Sequence, residues 1–293
     1  MRVFTSLLLL GVLALGHVPP ARTAPIPEAS RQGGFAIGIQ AYSFRQYSAL
    51  EAIERAAKTG AKVIEFYDGQ RLAPGEKAVF GHHSSLADIA RVKEALAKHG
   101  IRAVNYGVVP ISKKEADARK VFEFAKAMEL YAITTESDGS IDLIEKLVKE
   151  YDIRVGFHNH PRQGRNKNYK VWEPQYILSL VKDCDPRIGA AADVGHWTTD
   201  KLDVVASLKL LEGRLVSLHI KDREVAGRPV KNVPVGSGVI AIDAVLDELQ
   251  RQGFVGNLSI EYEDKWENNV PEITQSVAFL RGHRARKEAR AGR

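Results

Sequence analysis

Short apolar runs alternate along this chain with segments whose apolar residues recur at helical spacing. Ala36-Ile-Gly-Ile-Gln-Ala-Tyr42 reads as a strand, and Leu50-Glu-Ala-Ile-Glu-Arg-Ala56-Ala57 as a helix that Gly60 stops. The unit then repeats, with strands predicted at Lys62–Tyr67, Ile101–Tyr106, Tyr131–Glu136, Ile153–His158, Ile188–Asp193, Arg214–Ile220 and Gly256–Tyr262. Helices follow at about Ser85–Lys98, Lys113–Met128, Ile141–Glu150, Glu173–Lys182, Leu202–Leu211, Ile240–Gln252 and Val270–Arg281. Eight strands, each followed by a helix, predict an α/β fold: a closed (β/α)8 TIM barrel forming a single domain over residues 36–282. An open doubly wound sheet is the rival, but no Gly-x-Gly-x-x-Gly turn follows the first strand to favour it.

The two ends depart from the repeat. Arg2, the apolar run Leu7–Leu15 and the small residues Ala14 and Gly16 have the pattern of a secretory signal, so about residues 1–24 are expected to be removed and the protein to be periplasmic or secreted. The run is too short to span a bilayer, which needs roughly 20 residues. Residues 25–35 are expected to be a linker, and residues 283–293 a basic, disordered tail. Cys184 is the sole cysteine, so no internal disulfide supports the fold. The net charge of +6 is concentrated in Arg2, Arg22 and the arginine-rich tail, which leaves the body near neutral and removes most of the support for a nucleic-acid partner.

Candidate chemistry gathers at the carboxyl ends of the strands, the face where barrel enzymes keep their sites. Glu136, His158, Asp193, His219 and Glu261 end strands four through eight. Taken singly, a strand-end carboxylate is as readily a helix cap, and a core histidine a hydrogen-bonded structural group. Five ligand-type residues at consecutive strand ends point instead to a divalent metal ion (Mn, Mg, Co or Zn). His160, His196 and Lys221 are expected to face the same pocket, His196 as a proton shuttle or a loop cap and Lys221 as a partner for a hydroxyl or enolate oxygen. Glu65 and Asn105, on strands two and three, are candidate substrate contacts, and Trp197, Trp172, Tyr42 and Trp266 are candidate stacking surfaces for a sugar.

With these motifs in view, the chain resembles the xylose isomerase-like TIM barrels, often called sugar phosphate isomerases/epimerases. The resemblance rests on Asp193-Val-Gly-His196, Leu218-His219-Ile-Lys221-Asp222, Gly236-Ser-Gly238 and Ser259-Ile-Glu261-Tyr262. It implies metal-ligand roles for Asp193, His219 and Glu261. Epimerases of this kind carry a glutamate at the end of strand five, as ligand and base, where this chain has His158-Asn159-His160. Either His158 or Glu136 is then expected to complete the metal site.

The implied activity is a metal-dependent carbohydrate isomerase or epimerase that abstracts a proton next to a sugar carbonyl, with Glu261 or a histidine as base. The alternatives are a lyase or dehydratase acting on 3-keto sugars or glycosides, and a sugar-binding barrel without catalysis. A DNA-repair endonuclease, known from another branch of such barrels, is disfavoured by the export signal and the near-neutral body. The expected partner is a small carbohydrate, and the oligomeric state, a homo-oligomer included, stays open.

Overall fold

The computed structural model describes residues 25–228 and 231–291. The expected signal peptide lies outside these residues. Eight parallel strands close into a barrel: β1 (Ala36–Gln40), β2 (Val63–Phe66), β3 (Arg102–Tyr106), β4 (Ala132–Thr135), β5 (Arg154–His158), β6 (Ile188–Asp193), β7 (Leu215–Ile220) and β8 (Asn257–Ile260). Neighbours in sequence are neighbours in the sheet, and β8 returns to pair with β1 through Ala36–Asn257 and Ile39–Ile260. Every strand is buried on both faces, which explains why the strands read as continuous apolar runs rather than alternating ones.

The outer layer comprises α1 (Ala49–Lys58), α2 (Leu86–His99), α3 (Glu115–Ala127), α4 (Ile141–Tyr151), α5 (Pro174–Val181), α6 (Val194–Thr199), α7 (Val204–Leu210), α8 (Ile242–Arg251), α9 (Val270–Arg281) and α10 (His283–Ala291). Ile53, Val92, Phe122, Leu147, Leu208, Leu246 and Val277 pack from these helices against barrel residues such as Ile37, Ile64, Phe157 and Leu218. Local chemistry sets the helix ends. Ser48 and Glu51 form a reciprocal capping box at the start of α1, and Gly100 ends α2 in the left-handed conformation at φ 63°. Among the described residues no helix is long and apolar enough to cross a membrane.

Three sequence expectations need correction. Residues 25–35 are not a free linker. Ile26 is buried with Ala36, Val63, Val104, Ala132 and Val216, and Arg31 and Gln32 bond to the backbone at Val255 and Gly60. The segment therefore adds apolar cover to the inner cluster near the strand starts. The tail is not disordered over His283–Ala291, because α10 lies against α8 through charge: His283, Arg286 and Arg290 pair with Asp243, and Lys287 and Arg290 with Asp247. Two short antiparallel ribbons, Gln70–Arg71 with Val79–Phe80 and Asp222–Arg223 with Asn232–Val233, also sit in loops that carried no strand signal.

The α10 contact predicts a pH dependence. Burial pushes the Asp243 carboxyl up, but hydrogen bonds from Arg286 and His283 outweigh it and hold the group at about 2, below its ordinary 3.8. A depressed carboxylate stabilises above its unfolded pKa and loses that contribution as pH falls through the folded value. Docking of α10 should therefore be intact above pH 4 and lost towards pH 2. The check is the far-ultraviolet helix signal of the full chain minus that of a chain ending at Gly282. The effect should be modest and weaken in salt, because exposed pairs contribute about 0–1 kcal/mol each.

Candidate metal centre

Strand order alone brings the site together. Asp193, the last residue of β6, is in register with His219 on β7, and His158 ends the adjacent β5. Glu261 follows β8 directly, its N–H donating to Ile220 O at 3.1 Å. One ligand-type atom from each of His158, Asp193, His219 and Glu261 lies within 4.8 Å of the others, and all four residues are buried. His158 Nε2 is 3.7 Å from Asp193 Oδ2, His219 Nδ1 is 3.8 Å from the same oxygen, and His219 Nδ1 is 3.0 Å from Glu261 Oε2.

Three atoms test whether this group fits an ion. His158 Nε2, Asp193 Oδ2 and His219 Nδ1 are buried and make no well-directed hydrogen bond, although buried polar atoms nearly always do. They converge on one point. The opposite nitrogen of each histidine is already engaged: His158 Nδ1 donates to Glu136 Oε1 at 3.0 Å, and His219 Nε2 to Glu65 Oε1 at 3.1 Å. A carboxylate behind each imidazole, fixing its tautomer and aiming the other nitrogen, is the arrangement of metal-binding histidines. The donor set of two imidazoles and two carboxylates suits a divalent first-row ion.

This geometry separates His158 from Glu136. His158 belongs to the four-residue group; Glu136 stands behind it, accepting also from His160 Nδ1 and from Tyr169 Oη. Burial pushes the Glu136 carboxyl up, but the two histidines more than compensate and hold it well below the usual carboxylate range. A second grouping of Glu136, His158 and His160 also has ligand atoms within reach of one another, and within it Glu136 already bonds to both histidines. Glu136→Gln should leave the four clustered residues in place yet weaken ion binding by about 10–100-fold, the usual cost of losing such a partner. Titration calorimetry with Mn2+ checks this, and unchanged affinity would show that Glu136 does not orient His158.

Lys221 adds a buried cation to the same place. At 2 % exposure its Nζ lies 3.1 Å from Asp193 Oδ2 and 2.9 Å from Glu261 Oε2, and it also bonds to Glu263. Burial alone would discharge the amine, but the three carboxylates override it and keep the ammonium well above its ordinary pKa. Burial likewise works against the Asp193 and Glu261 carboxylates, yet Lys221 and His158 for the first, and Lys221 and His219 for the second, hold both well below the usual range. His196 is the opposite case: burial outweighs Asp193 and keeps its imidazole neutral, with Nε2 3.2 Å from Lys221 Nζ. The glycine of Asp193-Val-Gly195-His196 has a packing cause, since a Cβ there would fall 2.2 Å from Lys221 Cγ. Asp193 also caps α6 by accepting the His196 N–H at 2.8 Å, so the short motif shapes both the ligand and the approach of Lys221.

The cluster opens into a cavity of about 280 Å³. His158, His160, His196, His219 and Glu261 line it as expected, joined by Gln40, Tyr42, Tyr67, Gly107, Val108 and Glu263. Glu263 was legible in principle, because it lies two residues beyond Glu261 at strand spacing. Gln40, Tyr67 and the Gly107–Val108 peptide carried no signal of their own. Four expected contacts lie elsewhere, the first being Lys221, which does not line the cavity but is buried against Asp193, Glu261 and Glu263. Trp197, 1 % exposed, is packed in the core under α6 and not against the cavity. Glu65 and Asn105 are fully buried beneath the site. Glu65 accepts from Ser259 and Asn257 while orienting His219, and Asn105 donates to Ser217 Oγ at 3.2 Å. Of the other aromatics, Tyr42 reaches the cavity, Trp266 packs edge-on against it, and Trp172 carries Arg162 over its ring at 4.0 Å.

Comparison with known proteins agrees with this geometry. The profile of the xylose isomerase-like TIM barrels matches residues 138–283, which include all four clustered residues. The chain belongs to this family. An uncharacterized protein of Methanocaldococcus jannaschii is 27% identical over 141 residues, covering 47% of this chain and 45% of that protein. The L-ribulose-5-phosphate 3-epimerase UlaE of Salmonella paratyphi A is 27% identical over 95 residues, covering 32% of this chain and 33% of the epimerase. The match thus spans between a third and a half of these curated relatives. A crystal structure of an uncharacterized protein from Parabacteroides distasonis superposes with a TM-score of 0.68 at 27% identity, covering 84% of this chain and 98% of that one.

Proposed function

We propose that this protein is a divalent-metal-dependent sugar isomerase or epimerase that removes a proton next to a sugar carbonyl. The observation that carries the reading is the clustering of His158 Nε2, Asp193 Oδ2 and His219 Nδ1, buried and without a well-directed hydrogen bond, beside Glu261 under an open cavity. Similarity to a sugar-phosphate 3-epimerase over part of the chain supports the same class. A divalent ion held by His158, Asp193, His219 and Glu261 would polarise a carbonyl and favour negative charge on its oxygen.

The chain's own groups supply the rest. Lys221 keeps a positive charge behind the cavity lining, beside Asp193 and Glu261, and, being buried and fixed by three carboxylates, needs no reorganisation as charge develops. Glu261 is ionised, and His160 and His196 face the same cavity, so the proton acceptor is Glu261 or one of these histidines. Tyr42 and Tyr67, edge to face at 5.2 Å, offer an apolar wall to a sugar ring.

One observation favours a second reading. A histidine, His158, stands where a two-carboxylate epimerase would place its other base, and with a leaving group on the neighbouring carbon the same proton abstraction ends in elimination, as a lyase or dehydratase. Export to the periplasm, suggested by residues 1–24, belongs to the same proposal. The test is incubation of Mn2+-loaded protein with a panel of ketoses and 3-keto glycosides in deuterated water. Deuterium in recovered sugar supports the isomerase or epimerase, an unsaturated product supports the lyase, and binding without either outcome would leave a catalytically silent sugar-binding barrel.

A further inference from the structure

We propose that the sugar admitted to this cavity is uncharged and carries no phosphate ester. The inference rests on the reading above only in taking the occupant to be a sugar. Among the described residues, the side chains lining the cavity include two carboxylates, Glu261 and Glu263, and four imidazoles, those of His158, His160, His196 and His219, but no lysine or arginine. The cation behind them, Lys221, is bound to Asp193, Glu261 and Glu263.

The place where a β/α barrel commonly grips phosphate is also taken. In many such barrels the backbone N–H groups of the loops after strands seven and eight, with a nearby helix start, cradle the anion. Here the loop between β7 and α8 does form such a cradle, and the chain's own Asp222 fills it. Its Oδ2 accepts from Gly236 N and Gly238 N, both at 2.9 Å. Its Oδ1 accepts from Arg223 N at 2.9 Å and Ile240 N at 3.2 Å. The fit is close: a Cβ on Gly238 would lie 2.3 Å from Asp222 Oδ1. Gly236-Ser-Gly238 therefore serves an internal carboxylate, and a phosphate there would meet a negative charge that already engages the N–H groups of Arg223, Gly236, Gly238 and Ile240. Arg45, which reaches the lining through Tyr42, lies over the Trp266 ring at 4.1 Å and donates to Tyr42 Oη at 2.7 Å.

The test is calorimetric titration of the full Mn2+-loaded chain with ketopentoses and ketohexoses, each paired with its terminal phosphate ester. The neutral sugar should bind at least about tenfold more tightly than its ester, since a phosphate leaving water for this cavity would find no lysine or arginine in the lining to receive it and would face the Glu263 carboxylate. The gap should narrow as salt is raised. An ester that binds equally or better would overturn the proposal, and loss of that binding in Arg45→Ala would identify its anchor. Failure of every neutral sugar to bind would overturn it as well. The two readings separate cleanly: neutral sugars that bind in preference to esters but exchange no deuterium would defeat enolisation and leave this inference standing, whereas deuterium exchange confined to the esters would do the reverse.

Discussion

Asp193→Asn should weaken Mn2+ binding by more than the roughly 10–100-fold expected for loss of an outer partner, and turnover should fall with it. Asparagine keeps the volume and can still accept the His196 N–H that starts α6, so the fold should persist. What it removes is the charge on Oδ2, the oxygen that lies 3.1 Å from Lys221, 3.5 Å from His196, 3.7 Å from His158 and 3.8 Å from His219. Calorimetry with Mn2+, together with circular dichroism to verify folding, reads the effect. Wild-type affinity in a folded Asp193→Asn variant would remove Asp193 from the ligand set.

The second large effect is expected from Lys221→Met. With the ammonium gone, Asp193, Glu261 and Glu263 lose their common counter-charge, and stripping one partner from a buried ionic group usually costs about 3–5 kcal/mol. That cost should appear in full when a chelator is present. It should shrink when Mn2+ is present, because the ion neutralises the same carboxylates. Affinity for the ion should rise, since Nζ and a bound ion draw on the same Asp193 and Glu261 oxygens. Turnover should nevertheless fall by about 100-fold or more, as when a preorganised charge facing a developing oxyanion is lost. Thermal denaturation with and without chelator decides the matter. Equal destabilisation in both conditions would mean that Lys221 is a structural ion pair unrelated to an ion site.

Much of this was legible in the sequence, for a physical reason. A parallel barrel buries both faces of every strand, so the strands stand out as apolar runs, and the chemistry has to sit where those runs stop. Asp193, His219, Glu261 and His158 were visible on that ground. The arrangement of His158 and Glu136 was not, because the two lie on adjacent strands, and the hydrogen bond from His158 Nδ1 that places Glu136 behind the imidazole has no trace in the sequence. Trp197 misled because a rim aromatic and a core aromatic look alike in sequence; the short helix α6, which carried no periodic signal over six residues, turns it inward. Glu65 and Asn105 likewise read as strand-end polar residues, although the site lies above them. The basic tail gave no apolar stripe from which to predict α10, since its contacts with α8 are made by charge.

The central claim is that one ion sits among four named residues. Anomalous diffraction from crystals of the Mn2+-loaded protein, collected at the manganese edge, tests it most directly. We expect a single strong peak bounded by His158 Nε2, Asp193 Oδ2, His219 Nδ1 and a Glu261 carboxylate oxygen, with Glu136 and Glu65 still behind the two imidazoles. A peak between Glu136 and His160, or no peak while Lys221 Nζ remains between Asp193 and Glu261, would contradict it.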